Sequence, residues 1–279
     1  MKSPITSCLW FNGKAAEAAA FHCKTFKNSE IIHSDEVVTH YNLNGYRFTA
    51  LNGGPRYQMT PAVSYFVYCG NDAEIERIYK ALSKGGKVLM PLNKYPWTSK
   101  YAWVQDKFGV SWQLDIDDIK VPQKIVPSLL FTDKKYALIQ EAFDHYESIF
   151  DTLFLTSLPY PISAGAPLGT HQFAQFKLNN TIFNAMSNNA RHDFDFTPGN
   201  SFVLECENQE EIDQCWDQLT KGGEASKCGW LVDKFGISWQ VIPSQLGELM
   251  SNPDTSEAVM NSMLEMKKIV IAELEEVAK

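Results

Sequence analysis

Several familiar signatures are missing from this sequence of 279 residues. No apolar run approaches the ~20 residues that a membrane-spanning helix requires, so no membrane segment is expected. The opening residues, MKSPITSCLWF, lack the apolar stretch and small-residue site of a secretory leader. Positive charge is in deficit: 25 Lys and Arg stand against 33 Asp and Glu, a net charge of −8. That argues against a nucleic-acid surface, which needs a basic face. The six cysteines (Cys8, Cys23, Cys69, Cys206, Cys215, Cys228) form no CxxC pair, and several sit inside apolar patterns. Reduced, buried thiols in a cytoplasmic protein are therefore expected, rather than a cysteine-ligated zinc site. The six histidines show neither HxH nor HxxxH spacing. A nucleotide-dependent enzyme of the doubly wound class needs a glycine-rich loop that opens a helix. The double glycines here, Gly85-Gly86 and Gly222-Gly223, follow helical stretches instead.

What the chain has is repetition. Asp106–Gln113 reads DKFGVSWQ and Asp233–Gln240 reads DKFGISWQ, an offset of 127 residues. SKGG ending at Gly86 returns as TKGG ending at Gly223, an offset of 137. The ten-residue difference is an insertion in the first copy, Pro91–Lys100. SYFV at Ser64–Val67 answers SFVL at Ser201–Leu204, and FTALN at Phe48–Asn52 answers FNAMS at Phe183–Ser187. A duplicated chain folds each copy alike. The division expected is 1–120, 122–245 and a tail, 246–279.

Each copy spells β-α-β-β-β twice. In the first unit, Cys8–Phe11 is a strand, Lys14–Phe26 an alanine-rich helix, and Glu30–Val38 and Tyr46–Leu51 are strands, one of them open to splitting. The second unit runs Ser64–Cys69, a helix from Asn71-Asp72 to Leu82, then strands at Lys87–Met90, Tyr101–Gln105 and Val110–Ile116. The second copy repeats this with Ile125–Phe131, a helix over Tyr136–Phe150, a hairpin across Asn179-Asn180, then Ser201–Cys206, Glu210–Leu219, Cys228–Val232 and Ile237–Ile242. The tail reads as one helix from Pro253 to about Val277, with an apolar face that packs on a domain or on a second subunit.

Four such units in two pairs resemble the vicinal oxygen chelate (glyoxalase/bleomycin-resistance) superfamily. Within it the chain resembles the PhnB-like family, whose members are often labelled 3-demethylubiquinone-9 3-methyltransferase. The residues that carry this are Trp10-Phe11-Asn12-Gly13 with the helix AAEAAAFHCKTF, ALNGGP at Ala50–Pro55, and CGWLVDKFGISWQVIP at Cys228–Pro243. The resemblance implies an α+β fold of tandem glyoxalase-like domains, each with a cupped sheet. It also implies up to four His, Glu or Gln metal ligands per cup. Matching the motif puts Gln113 and Gln240 where the family's metal Glu stands, and Ser64 and Ser201 at a His position. Ala50 and Ala185 match a Glu position. Thr6 or Cys8, and Pro127, match the opening-strand ligand.

One amide and one hydroxyl per cup hold a transition metal poorly, so no tightly bound metal and no other cofactor are expected. Alternation puts Gln113 opposite Trp112, with Gln113 and Gln240 lining a pocket and Trp112 and Trp239 packing in the core. Ser64, Phe66 and Tyr68 share a face, as do Ser201, Val203 and Glu205. Glu205 is a candidate general base if the cup is apolar, or a solvated carboxylate at a strand end. Asn52 is a pocket residue or a turn cap. Trp97, in the aromatic insertion, belongs to a lid over a cup mouth or to an edge loop. His22 is expected to be structural, and His171 has a weaker claim on the pocket. The leading expectation is a small-molecule-binding protein without metal. The alternatives are a metal-dependent lyase, isomerase or dioxygenase, and a duplication that serves assembly only.

Overall fold

The computed structural model describes residues 3–116 and 123–279. The expected junction at 120–122 lies outside the described residues. The first unit comprises β1 (Thr6–Phe11), α1 (Ala15–Thr25), β2 (Ser29–Ser34), β3 (Val38–Leu43) and β4 (Tyr46–Asn52). The second comprises β5 (Val63–Cys69), α2 (Asp72–Ser83), β6 (Lys87–Tyr95), β7 (Thr98–Gln105) and β8 (Ser111–Ile116). The third comprises β9 (Ile125–Thr132), α3 (Ile139–Glu147), β10 (Thr152–Pro159), β11 (His171–Leu178) and β12 (Thr181–Asn188). The fourth comprises β13 (Asn200–Cys206), α4 (Gln209–Leu219), β14 (Glu224–Ala225), β15 (Trp230–Val232) and β16 (Ser238–Pro243). The tail forms α5 (Leu246–Leu249), α6 (Ser256–Glu265) and α7 (Ile271–Val277).

Local chemistry accounts for the duplicated elements. Asn71 and Asn208 accept from the backbone N–H of Glu74 and Glu211, each at 3.0 Å. The two glutamates reach back to the N–H groups of Gly70 and Glu207. These reciprocal caps start α2 and α4 at matched positions. Gly85 and Gly222 stop them in the left-handed region, at φ +77° and +78°.

The repeated DKFG segment is a structural device. Asp106 is 4% exposed and its carboxylate accepts from the N–H groups of Phe108 and Val110 and from the Trp112 indole. Its remaining partner is His22, 2.8 Å away on α1. Asp233 accepts the same three bonds from Phe235, Ile237 and Trp239, with the Tyr146 hydroxyl at 2.6 Å in place of the histidine. Each aspartate thus closes a hairpin and ties it to a helix. His22 is structural, as expected.

The cores follow the repeats, but the sheets do not. Leu9, Tyr41 and Phe48 of the first unit share one core cluster with Tyr65, Val67 and Trp112 of the second. The third and fourth units share another with the tail. The two units of one repeat therefore meet face to face through their helix layer. Their open strand edges are completed by the other repeat. One eight-stranded sheet has the order β14-β15-β16-β13-β1-β4-β3-β2, and the other β10-β11-β12-β9-β5-β8-β7-β6. The cross-repeat seams are antiparallel, β1 to β13 with Cys8 opposite Ser201, and β5 to β9 with Ser64 opposite Ser128. The expectation that one copy makes one cup is corrected accordingly: each cup holds two β-α-β-β-β units, drawn from different repeats.

Three further expectations change. The strand read over Glu30–Val38 is two strands, β2 and β3, because Asp35 accepts from the N–H groups of Val37 and Val38 and turns the chain. The insertion is no loop: it lengthens β6 and β7 into one hairpin with Pro96-Trp97 at its tip. The tail is broken at Met266–Val270, where the carbonyls of Met266 and Lys267 accept from Cys228 and Gly229. Its residues Val259, Ile269, Ile271 and Leu274 are buried in the chain's own core. Among the described residues, no helix is long and apolar enough to cross a membrane.

Candidate functional site

The sheet face opposite the helices is the cup, and strand alternation decides what lines it. In the first sheet, Leu9, Phe48 and Ala50 belong to the helix-side core, which turns Cys8, Thr49, Ser201 and Gln240 toward the cup. In the second sheet, Leu129, Ala185 and Trp112 are helix-side, which turns Ser128, Asn184, Ser64 and Gln113 toward the cup. Register aligns these two quartets: Cys8 faces Thr49 and Ser201, as Ser128 faces Asn184 and Ser64.

This corrects three motif matches. Ala50 and Ala185 are buried on the helix side, one residue out of phase, and Thr49 and Asn184 hold the cup positions. Pro127 likewise yields to Ser128. A shift of one residue in a strand flips the face, and no charged side chain stood there to mark the phase. Gln113, Gln240, Ser64 and Ser201 stand in the cups; Thr6 and Cys8 share the cup face, and Cys8 is the one in register with Ser201 and Thr49. Gln113 donates to the Ser64 hydroxyl at 2.8 Å and Gln240 to the Ser201 hydroxyl at 2.9 Å.

The quartets are alike, but their surroundings differ. In the second-sheet cup, Tyr101 donates to Gln113, and Gln175 donates to Asn184 at 2.9 Å. The Tyr68 hydroxyl accepts from Asn184 and Gln175, each at 3.3 Å. Phe66, Tyr68, Tyr101, Val126 and Ile182 pack into one buried cluster above this network. Gln113 is 2% exposed and Asn184 is 0% exposed. The cup is filled by its own side chains.

In the first-sheet cup, Val203 and Glu205 occupy the positions of Phe66 and Tyr68; Cys228, which matches Tyr101 in the sequence, lies before β15 at φ +58° and donates its N–H to the Met266 carbonyl. Arg47 and His40 stand where the other cup has Ile182 and Gln175. Thr49, Gln240, His40, Leu51 and Trp230 are all partly exposed. Glu205, at the strand end, faces Arg47 across a gap of 3.7 Å with its side chain 30% exposed. His40 bonds Thr49 at 3.0 Å; burial, then the charge of Arg47, pushes its pKa below the usual histidine value. Trp10 packs edge-on against Trp230 with ring centres 5.8 Å apart, and donates to the Gly54 carbonyl at 2.8 Å. A Cβ at Gly53 would collide with that indole, so only glycine lets the loop lie against it.

Three further candidates sit elsewhere. Asn52 accepts from the Ala15 N–H at 3.0 Å and donates to the Glu36 carbonyl at 2.8 Å, joining α1 to the β2–β3 turn. Trp97 is 61% exposed at the hairpin tip, stacked on Tyr95 with centroids 5.1 Å apart. Tyr95 in turn packs on the cluster that fills the second-sheet cup. His171 bonds Gln140 at 2.9 Å.

Neither quartet suits a metal of the kind the superfamily holds. Burial pushes the Cys8 thiol up to about 11, so at neutral pH it is not the thiolate that ligates metals. The other seven donors are hydroxyls and amides. Among the described residues, no three His, Cys, Asp or Glu side chains converge as a metal-binding group. What the first-sheet cup can do is hydrogen-bond a polar organic molecule, with indoles along one side and an Arg–Glu pair at the rim.

Comparison with known proteins agrees with this architecture. The putative 3-demethylubiquinone-9 3-methyltransferase, PhnB protein, from Bacillus cereus is 36% identical over 41% of this chain and 100% of its own, with a TM-score of 0.40. Glyoxalase I from Zea mays is 10% identical over 87% of this chain and 93% of its own, with a TM-score of 0.59. A putative dioxygenase from Bacillus subtilis is 10% identical over 98% of this chain and 94% of its own, with a TM-score of 0.51. At such identity the last two speak for the fold alone. No curated protein sequence matches. The sequence model described as 3-demethylubiquinone-9 3-methyltransferase matches twice, over residues 3–115 and 123–242, so the chain belongs to that PhnB-like family in two tandem copies.

Proposed function

We propose that the chain is a small-molecule-binding protein, that its ligand occupies the first-sheet cup, and that neither cup uses a catalytic metal. One observation carries the reading: two matched polar quartets share a scaffold, and only one is covered by aromatic side chains. Cys8, Thr49, Ser201 and Gln240 supply hydrogen-bonding groups, Trp10 and Trp230 an apolar wall, and Arg47 and Glu205 a charged rim. Hydroxyl, amide and un-ionised thiol suit an organic ligand better than a transition metal. Methyl transfer is not proposed, because the double glycines close helices rather than open them. A cytoplasmic location fits six cysteines that are all unpaired.

A thermal-shift screen of small polar metabolites tests the reading, since a ligand that binds only the folded state raises the midpoint. Hits should lose their shift in a Val203→Phe/Glu205→Tyr variant, which copies the aromatics of the filled cup. Hits indifferent to that variant would reject the site. Stoichiometric zinc, iron, manganese or nickel in elemental analysis would reject the metal-free part.

A further inference from the structure

A cavity of about 510 Å³ lies between the start of α1, the loop before β5 and the β7–β8 hairpin, and borders the first-sheet cup at Trp10, whose indole lines it. Its walls include Lys14, Lys107, Tyr57, Gln58, Met59 and Phe108. This volume falls within the range of small-ligand sites, roughly 300–1,000 Å³. Among the described residues no aspartate or glutamate lines it, although the chain carries a net charge of −8.

The second repeat shows what a closed version looks like. Residues Arg56–Pro61 (RYQMTP) align without gaps to Asp193–Pro198 (DFDFTP). Thr60 donates to the Asp195 carbonyl and Thr197 to the Gln58 carbonyl, so the two loops are latched as mutual counterparts. In the second repeat Lys135 pairs with Asp195 at 2.7 Å and lies over the Phe196 ring at 5.3 Å. Its ammonium fills the space beside the hairpin, 2.7 Å from where a Cβ on Gly236 would stand. Lys234 pairs with Glu141 at 3.0 Å.

Among the described residues, neither of those ion pairs has a counterpart in the first repeat. Gln58 replaces Asp195, Arg56 replaces Asp193, and Met59 replaces Phe196. Beside Gly109 the nearest atom is the Met59 methyl, at 3.9 Å. Lys107 lies over the Phe21 and Phe108 rings at 5.0 and 4.9 Å, and Arg56 over the Tyr57 ring at 5.0 Å. Among the described residues neither Lys14 nor Lys107 forms an ion pair, although α1 carries Glu17. The first repeat thus keeps the pocket, lacks its plug and has Arg56 and Gln58 in place of two aspartates, while Glu17 keeps the place of Glu141 without pairing to Lys107.

We propose that this cavity is a second binding site, selective for a small planar organic anion. The anionic group would lie between Lys14 and Lys107, and the ring against Tyr57 and Phe108. The site touches the cup at Trp10 but uses none of its polar quartet, so it does not rest on the cup's being occupied. The probe is 4-fluorobenzoate, titrated by fluorine NMR against the full chain, with 4-fluorobenzamide as the uncharged control. Saturable binding of the acid is expected, with much weaker binding of the amide. Lys14→Ala/Lys107→Ala should weaken the acid by about tenfold or more, the loss of a charge-assisted hydrogen bond. Arg56→Asp/Gln58→Asp, which restores the second repeat's charges at exposed positions, should do the same and keeps the test open if the lysine variant misfolds. Val203→Phe/Glu205→Tyr should leave the affinity unchanged. No saturable binding, binding indifferent to both sets of charges, or loss on filling the cup would each overturn the site.

Discussion

The two cups share a floor and differ in what stands over it. Each presents a glutamine bonded to a serine across parallel strands, with a second pair of small polar residues beside it. Over one floor lie Phe66, Tyr68 and Tyr101; the residues that match them in the sequence are Val203, Glu205 and Cys228. One floor is sealed by side chains; in the other Cys8 and Ser201 are buried, while Thr49 and Gln240 are partly exposed beneath a charged rim. Duplication supplied two similar scaffolds, and differences at those matched positions, at Ile182 against Arg47 and at Gln175 against His40 gave one floor an aromatic cover and the other a charged rim. The separation is physically sensible. Aromatics add stability by filling space, so the filled cup can support the assembly while the open one keeps polar groups within reach of a ligand.

The largest effect should come from the feature the cups have in common. Asp106→Ala and Asp233→Ala each remove three hydrogen bonds within the hairpin and one to a helix, at a cost of about 1–3 kcal/mol per group left unsatisfied. Both should lower stability by several kcal/mol in urea unfolding, and by similar amounts, because the hairpins are built alike. A large inequality would show that the hairpins support their cups differently. The next effect separates the cups: Phe66→Ala in the filled cup should cost about 3–5 kcal/mol through lost contacts and cavity formation. Val203→Ala at the matched position, equally buried, should cost less, since a smaller side chain is removed. Equal losses would mean that the first-sheet cup is as tightly packed as its twin.

Much of this was legible in the letters. The DKFG repeat, the Asn-x-x-Glu caps and the Gly-Gly stops place elements at matched points, and they are local signals. The cross-repeat sheets were not legible, because strand pairing partners leave no local mark when every unit has the same pattern. The phase of β4 and β12 was misread for a related reason. In FTALN and FNAMS both faces are buried in part, so Ala50 and Ala185 looked as eligible as Thr49 and Asn184. β10 was missed because Leu153, Leu155 and Leu158 are exposed on an edge strand, where no buried face imposes alternation. The filled cup is marked in the sequence itself, where Tyr68 in one repeat stands against Glu205 in the other.

A smaller effect on stability, though a decisive one for binding, is expected from Val203→Phe/Glu205→Tyr. New rings entering an open cup should change the unfolding free energy by no more than the 1–3 kcal/mol typical of overpacking, while ligand-induced midpoint shifts disappear. If the shifts persist, the aromatics do not decide which cup binds.

The smallest effect concerns His40, which stands where the filled cup has Gln175. Burial and Arg47 lower its pKa in the folded protein; His33 acts in the same direction and Asp35 opposes them. The folded state therefore takes up the proton less readily than the unfolded chain does. By linkage, stability then rises with pH across this titration. The contribution is fully present above the ordinary histidine pKa and is lost as pH falls through the lowered value. Glutamine does not titrate, so His40→Gln should flatten that part of the decline. His145 and His171 also have lowered values and will preserve the rest of it. Urea unfolding of both proteins between pH 5 and pH 8 measures the difference. A variant whose curve falls as steeply as the parent's would mean that His40 is as well solvated folded as unfolded, and the open cup would then be wetter at its charged side than its burial implies.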